Sequence, residues 1–327
     1  MSVYGVNLPW LHGSYGHDLA ENEHYPDWGY AFDTADYGRP LREAGELGFG
    51  ATRIWLCEYG EGLVTDSRGR ITGLHPALLE NVARLSEVSA KLGQQVYWTL
   101  LDANSVPRSG DALTCSILAD RDQTARFAEL VAAPIARALD PRLTFAVEAL
   151  NEPEVLTPSC AAVDAPSSET PSWNTLSWET VGRALRTIGD AVRAELAVPV
   201  TAGTMHVFLD SLWQAEPHLD AVDVHIYHDN GGLPPAAQLA ALTADPRVGG
   251  TIPVFAGECG LPEEGTVPPA VRLAHYLYNA EPSGYAAVFL WRLEGFLVQQ
   301  DASRRITNAG QEVREALMHR IAERSRQ

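Results

Sequence analysis

Short apolar runs recur along this chain and alternate with longer segments of helical periodicity. Continuous apolar runs are typical of strands that are buried on both faces of a parallel sheet. The predicted strands are Val3–Leu8, Ala51–Leu56, Gln95–Leu101, Leu143–Leu150, Val198–Ala202, Ala221–Ile226, Ile252–Ala256 and Ala286–Trp291.

The segments between these runs carry the spacing of amphipathic helices. Within Ser177–Leu196, for example, apolar residues recur at steps of three and four and form one buried stripe. The predicted helices are Pro40–Leu47, Pro76–Leu92, Arg121–Ala138, Ser177–Leu196, His206–Gln214, Pro235–Leu242, Pro268–Asn279 and Ala309–Glu323. Strict alternation of strand and helix predicts an α/β fold, a (β/α)8 TIM barrel, with residues 1–327 forming a single catalytic domain.

A doubly wound open sheet is the competing architecture. It usually carries a glycine-rich phosphate turn after the first strand, but the residues here are Pro9-Trp10-Leu11-His12-Gly13. The segments that leave the predicted strands are also long: Pro9–Arg39, Cys57–His75, Asp102–Asp120 and Pro153–Leu176. Long βα loops at the carboxyl ends of strands build the active face of a barrel.

The charge of the chain narrows the expected partners. The 24 Lys and Arg residues against 42 Asp and Glu residues give a formal net charge of −18. Such a field repels nucleic acids and anionic membranes and suits neutral or cationic ligands, although acidic charge also serves simply for solubility. The sequence does not predict an oligomeric state.

Neither targeting signals nor the cysteines narrow the predicted function. No apolar run is long enough for a membrane helix and no signal peptide is recognisable, so we expect a cytoplasmic protein, or a secreted one if the sequence given lacks its leader. The cysteines show no metal-ligand spacing. Cys57 and Cys259 are expected to be free thiols, and whether Cys115 and Cys160 pair is left open.

Two glutamates at predicted strand ends carry the candidate chemistry. Glu152 lies in Ala149-Leu150-Asn151-Glu152-Pro153, and Glu258 lies about a hundred residues later in Phe255-Ala256-Gly257-Glu258-Cys259-Gly260. Two carboxyl groups at the mouths of parallel strands supply the proton donor and the nucleophile or base that hydrolysis of a glycosidic bond requires.

At these residues the chain resembles the (β/α)8-barrel retaining glycoside hydrolases of clan A, in particular the family 5 cellulases and β-mannanases. The motifs are Asn-Glu-Pro after the fourth strand, Glu at the end of the seventh, Thr52-Arg53-Ile54-Trp55 on the second, His225-Ile226-Tyr227 on the sixth, and Trp291 ending the eighth. The resemblance covers most of the chain through short motifs in the right order.

The resemblance implies a role for each matching residue. Glu152 would be the general acid/base, with a raised pKa, and Glu258 the nucleophile. Arg53 and Tyr227 would hydrogen-bond Glu258, and His225 would lie near Glu152. Asn151 would bind the sugar 2-hydroxyl and Trp291 would form the floor beneath the ring.

The match is incomplete at the third strand and the first loop. Leu101-Asp102-Ala103-Asn104 stands where the family usually has a histidine, so Asp102 or Asn104 is expected to face the sugar. Trp10 is a candidate for stacking on a pyranose ring. Arg53 has an alternative interpretation, a simple ion pair with Glu58 or Glu46, and Glu148 is predicted to be an interior, paired carboxylate.

The leading hypothesis is a retaining β-glycoside hydrolase acting on a β-linked gluco- or manno-configured saccharide or glycoside, with no cofactor and no metal. The alternatives are a transglycosylase acting on small glycosides and a catalytically silent saccharide-binding barrel. A metal-dependent barrel enzyme is disfavoured because the histidines form no ligand-spaced cluster.

Overall fold

A computed structural model of the chain describes residues 3–11, 15–30, 32, 35–105, 113–160, 175–227, 244, 252–260, 284–299 and 303–324. Ten strands are assigned within these ranges: β1 Val3–Leu8, β2 Ala51–Trp55, β3 Leu63–Thr65, β4 Ile71–Leu74, β5 Gln95–Thr99, β6 Thr144–Asn151, β7 Val200–Met205, β8 Val222–Tyr227, β9 Val254–Gly260 and β10 Ala287–Leu290.

Eight of these strands form a closed parallel barrel in the order β1-β10-β9-β8-β7-β6-β5-β2. Each overlaps one of the eight predicted apolar runs, which confirms the TIM barrel. The bounds differ most at β7 and β9, which extend to Met205 and Gly260 because polar residues and glycines continue the ladders beyond the apolar runs. The remaining two strands, β3 and β4, form an antiparallel ribbon.

Helices fill most of the described connections. Those longer than five residues are Arg39–Glu46, Pro76–Leu92, Leu113–Ala119, Arg121–Phe127, Ala133–Ala138, Trp178–Glu195, Leu209–Ala215 and Asn308–Arg324. A π-helical turn, Ala128–Ala132, joins the fourth to the fifth. The predicted helices Pro235–Leu242 and Pro268–Asn279 lie outside the described residues. No helix in the described part of the chain combines the length and the apolar character needed to cross a membrane.

Local chemistry explains where the longest helices begin and end. Ser177 caps Trp178–Glu195 by accepting a hydrogen bond from the Thr180 amide at 3.2 Å. Pro76 opens the helix Pro76–Leu92, which stops at Gly93 in the left-handed conformation with φ 66°. In Trp178–Glu195 the apolar stripe is buried, as its spacing predicts.

The sequence did not predict two elements inside the long loops. The ribbon β3–β4 forms around a tight turn at Asp66, whose backbone carbonyl accepts a hydrogen bond from the Gly69 amide at 2.8 Å. The helix Leu113–Ala119 occupies part of the segment after β5. Both elements are short, and their stability comes from packing against neighbouring elements rather than from a periodic pattern of their own.

The interior of the barrel differs between its two ends. Near the amino ends of the strands it is filled by a cluster of aromatic rings, Tyr97, Phe145, Phe255 and Phe289. The ring of Phe289 lies where a Cβ on residue 5 would stand, so Gly5 in β1 is required for this packing. Towards the carboxyl ends, polar and charged side chains replace the aromatic ones.

Candidate active site

A cleft of about 360 Å³ opens at the carboxyl ends of the barrel strands, a size within the usual range of ligand pockets. The described residues that line it are Pro9, Trp10, Tyr15, Trp55, Asp102, Asn104, Asn151, Glu152, Met205, Tyr227, Glu258 and Trp291. Eight of the ten site residues predicted from sequence are among them. The other two, Arg53 and His225, lie behind the glutamates and hydrogen-bond to them.

Glu258 lies within β9, not after it. The pairing of β8 with β9 shifts register between Asp223 and His225, so that Asp223 pairs with Phe255 and His225 with Glu258. A bulge of this kind re-aims side chains. A side chain at Gly257 would collide with the Asp223 carboxylate, so the bulge requires glycine there.

The carboxylate of Glu258 is held by two donors. Arg53 donates from Nη1 to Oε1 at 2.7 Å, and the Tyr227 hydroxyl donates to Oε2 at 2.6 Å. Arg53 is fully buried and Glu258 is 4% exposed. The two hydrogen bonds, one of them from a permanent cation, fix the orientation of this carboxylate.

Arg53 is the centre of a buried polar network. Besides Glu258, its Nε and Nη2 donate to Oε2 of Glu148 at 3.0 and 2.6 Å. Its remaining donors reach the side-chain oxygens of Asn7 and Asn151. The alternative pairing of Arg53 with Glu58 or Glu46 is therefore wrong, and the interior, paired position predicted for Glu148 is confirmed.

Glu152 follows the last residue of β6 and has an unusual backbone. Its φ and ψ are 47° and 56°, the left-handed region, and its amide donates to the Gly203 carbonyl on β7 at 2.9 Å. The next residue is Pro153, which starts a 3-10 turn. This turn takes the chain out of the barrel wall and points the Glu152 side chain into the cleft.

Two donors hold the Glu152 carboxylate. His225 lies with Nδ1 at 2.7 Å from Oε1, and Asn104 donates from Nδ2 to Oε2 at 2.8 Å. Burial alone would raise the pKa of Glu152, but the hydrogen bond and charge of His225 outweigh it and lower that pKa. The raised pKa expected from the resemblance is therefore wrong for this arrangement.

His225 shows the opposite shift. Burial opposes the charged imidazole, but the negative charge of Glu258 and the hydrogen bond to Glu152 prevail and raise the pKa of His225 to about 10. The contact therefore favours an ionised Glu152 beside a charged imidazole, and the two groups titrate as a pair.

The two glutamates face each other across a short gap. One carboxylate oxygen from each glutamate and one ring nitrogen of His225 all lie within 4.8 Å of one another. His225 Nδ1 lies 2.7 Å from Glu152 Oε1 and 3.8 Å from Glu258 Oε2. Retaining glycosidases hold their carboxyl groups about 5–5.5 Å apart, whereas inverting ones leave about 6.5–9.5 Å for a water molecule.

Aromatic rings form the walls of the cleft. Trp291 meets Trp55 edge to face with ring centroids 5.8 Å apart. Trp10 carries the guanidinium of Arg292 over its ring at 4.4 Å. Trp55 is 3% exposed and still contributes to the lining.

Asp102 and Asn104, the two candidates for facing the sugar at the third barrel strand, have different contacts. Asn104 contacts Glu152, whereas Asp102 is 2% exposed and accepts hydrogen bonds from Asn151, Asn104 and the Tyr15 hydroxyl. Burial raises the pKa of Asp102 to about 6, against these hydrogen bonds. Asn151 is bound on both sides, by Asp102 and by Arg53.

Sequence reasoning missed three residues of this network. Asn7 donates from Nδ2 to the carbonyls of Gly257 and Leu290 and so ties β1 to β9 and β10. Asp223 accepts from the Gly257 amide at 2.8 Å and from the Tyr97 hydroxyl. Tyr15 bonds to Asp102. A polar residue inside an apolar strand was the available signal for Asn7, and the period-two spacing to His225 was the signal for Asp223.

Two overlapping groups have the spacing of metal ligands: Glu148, Asp223 and His225, and Glu152, His225 and Glu258. Both include His225, whose Nδ1 is already hydrogen-bonded to Glu152 at 2.7 Å. Arg53 already forms ion pairs with Glu148 and Glu258. The donor set fits hydrogen bonding and proton transfer better than metal coordination.

Comparisons with known proteins identify the class of barrel. No protein-family model matches the chain, and no curated protein matches it. Solved structures do match. A β-1,4-mannanase from the sea hare Aplysia kurodai is 18% identical, with a TM-score of 0.70, and the match covers 98% of this chain and 92% of that one.

Two further structures give the same result. The β-mannanase of the blue mussel Mytilus edulis is 17% identical, with a TM-score of 0.69 and coverage of 98% and 91%. GH5_18 from Streptomyces cattleya, solved in complex with GlcNAc, is 18% identical, with a TM-score of 0.69 and coverage of 97% and 80%. The fold is that of the clan A, family 5 cellulase- and mannanase-like barrels.

Proposed function

We propose that this protein is a retaining β-glycoside hydrolase that acts on a β-linked gluco- or manno-configured saccharide or glycoside. The observation that carries the proposal is the pair of glutamates whose oxygens lie within 4.8 Å, one held by a permanent cation and the other by a titratable one. The likeness to mannanase structures supports a manno-configured substrate but shows only the fold.

In the first step, an oxygen of Glu258 attacks the anomeric carbon and the bond to the leaving oxygen breaks. Arg53 and Tyr227 hold the attacking carboxylate in place. The leaving oxygen takes a proton from Glu152, which in turn receives the proton of His225 along their 2.7 Å hydrogen bond. The products are a glycosyl ester on Glu258 and a free alcohol or sugar.

In the second step, water attacks the same carbon and the ester bond to Glu258 breaks. The proton of the water passes to Glu152 and His225. The negative charge of Glu258 favours the protonated state of His225, and esterification removes that charge. The pair releases its proton when the leaving group needs it and recovers it when the Glu258 carboxylate is regenerated.

The experiment measures turnover of aryl β-mannosides and β-glucosides by three variants. Glu258→Gln should lose activity by about 10⁴-fold or more, because the covalent step is lost. Glu152→Ala should keep turnover on dinitrophenyl glycosides and yield a β-glycosyl azide when azide is added. The matched control is Glu87→Gln, at an exposed position on the helix Pro76–Leu92, and it should behave as wild type.

Product stereochemistry tests the double displacement. NMR during hydrolysis should show the β-anomer first. An α-anomer as first product would exclude the retaining mechanism, and wild-type rates in Glu258→Gln would exclude the assignment of the nucleophile. Oligosaccharide that binds tightly but is never cleaved would favour the saccharide-binding alternative.

A further inference from the structure

Glu154, two residues beyond Glu152, is fully buried and outside the cleft. Both of its carboxylate oxygens are bound by the end of β7. Oε1 accepts from the Met205 amide at 2.7 Å, and Oε2 accepts from the Thr204 hydroxyl at 2.8 Å. We call Glu154, Thr204 and Met205 the β7 clamp.

The clamp begins where the backbone ladder between β6 and β7 ends. The last paired residues are Asn151 and Gly203, and the Glu152 amide still donates to the Gly203 carbonyl. Beyond this point the chain turns away from β7. At Met205 the backbone amide donates to the Glu154 side chain, so a carboxyl group continues the attachment of this segment to β7.

The turn that separates the two strands is itself strained. Glu152 is neither glycine nor asparagine, and its Cβ makes the left-handed conformation unfavourable. Such a conformation persists only when the surroundings impose it. The turn is fixed on one side by the Gly203 carbonyl and on the other by the carboxylate of Glu154, so that Glu152 lies between two attachments to the same strand.

We propose that Glu154 is a positioning residue for the acid/base: the β7 clamp holds the backbone of Glu152 in the left-handed conformation that directs its carboxylate to His225 and Asn104. The inference rests on the proposed function for its kinetic test, since it assigns Glu154 to proton delivery and not to the covalent step. It does not assign Glu154 to any contact with substrate.

Substitutions in the β7 clamp can be ranked by the hydrogen bonds that they keep. Glutamine keeps an acceptor for the Met205 amide, and its NH₂ group can donate to the Thr204 hydroxyl. Glu154→Gln therefore retains the clamp, whereas Glu154→Ala abolishes it. Thr204→Val removes the hydroxyl while keeping the shape of the β-branched side chain, and so removes one attachment of the two.

The experiment compares glycosides with good and poor leaving groups. A dinitrophenyl group departs without a proton, whereas an alkyl or sugar group requires one. Glu154→Ala should lose kcat/KM by about 10²-fold on the poor leaving group, the usual share of general acid catalysis, and much less on dinitrophenyl substrates. Thr204→Val should show the same pattern with a smaller loss, and Glu154→Gln should recover the wild-type dependence on leaving group.

Equal losses on both kinds of substrate in Glu154→Ala would overturn the inference, because a general loss of folded protein lowers both rates alike. Wild-type rates on both would overturn it too. Circular dichroism and thermal unfolding of each variant report on the fold itself.

A second measurement is independent of catalysis. Crystal structures of Glu154→Ala and Glu154→Gln should show that residue 152 leaves the left-handed region and its contact with His225 only in the alanine variant. If both variants keep φ near 47° and the 2.7 Å contact, the clamp has no positioning role, even if the protein has no glycosidase activity.

Discussion

Glu258 and Glu152 are the same residue type at the same end of the barrel, but the chain holds them differently. Glu258 lies inside a strand ladder and pairs with Arg53, which keeps its charge at any pH the fold survives. Glu152 lies beyond a strand end and pairs with His225, which can lose its proton. A nucleophile needs a constant charge, whereas an acid/base needs a partner that gives up a proton and takes it back.

Removing the permanent cation should have the largest effect. Arg53→Met leaves Glu148 and Glu258 as two uncompensated buried carboxylates, and breaking a buried ion pair in this way costs about 3–5 kcal/mol of the free energy of unfolding. Turnover should fall by roughly 10³-fold on substrates with good and poor leaving groups alike, because the nucleophile serves both. Denaturant unfolding and aryl glycoside kinetics measure the two effects.

The matched control is Arg142→Met, since Arg142 forms an exposed pair with Asp140 before the amino end of β6, whereas the cleft lies at the carboxyl end of that strand. It should change neither quantity. If Arg53→Met lost activity only on poor leaving groups, the assignment of Arg53 to Glu258 would be contradicted.

Removing the titratable cation should change the pH dependence. The pKa of His225 in the folded protein, about 10, lies above the ordinary value of about 6.5. Its stabilisation is therefore fully present below about pH 6.5 and is lost as the pH rises through about 10. The difference in free energy of unfolding between wild type and His225→Asn should be greatest at pH 6 and should shrink by pH 10.

Denaturant titrations of both proteins at each pH check this, because groups that do not interact with His225 cancel in the difference. Glu154, with a pKa of about 8, is one such group near the site. A difference that stays constant from pH 6 to pH 10 would show that His225 is neutral.

The smallest effects should come from the uncharged donors, one for each glutamate. Tyr227→Phe removes a hydrogen bond to the charged Glu258, worth about 1.5–3 kcal/mol, so kcat/KM should fall about 10- to 100-fold for every leaving group. Asn104→Ala, at a more exposed site, should cost less and only on poor leaving groups. If kcat/KM depended on the leaving group in the same way in both variants, the different roles proposed for Glu258 and Glu152 would be contradicted.

The sequence was most informative where the structural environment allows few residue types. Apolar runs predicted all eight barrel strands, because strands buried on both faces leave little choice of residue. Glu152 and Glu258 were found because charges at strand ends in an apolar context need a chemical reason, and Arg53 was found through the resemblance. The structure brings together all ten predicted site residues.

The sequence could not supply what depends on register. The bulge between β8 and β9 pairs Glu258 with His225, and the turn after β6 places Glu154 against β7. Neither follows from period-two spacing. The lowered pKa of Glu152 also depends on a three-dimensional contact, its 2.7 Å hydrogen bond with His225, which the resemblance predicted only as proximity.

The aromatic cluster at the opposite end of the barrel determines where small molecules can enter and leave the cleft. Because Tyr97, Phe145, Phe255 and Phe289 fill the interior there, the described part of the barrel is a blind cup and not a tunnel. In the proposed hydrolysis, the leaving group and the water that replaces it must then pass through the same opening one after the other, so release of the leaving group sets an upper limit on turnover.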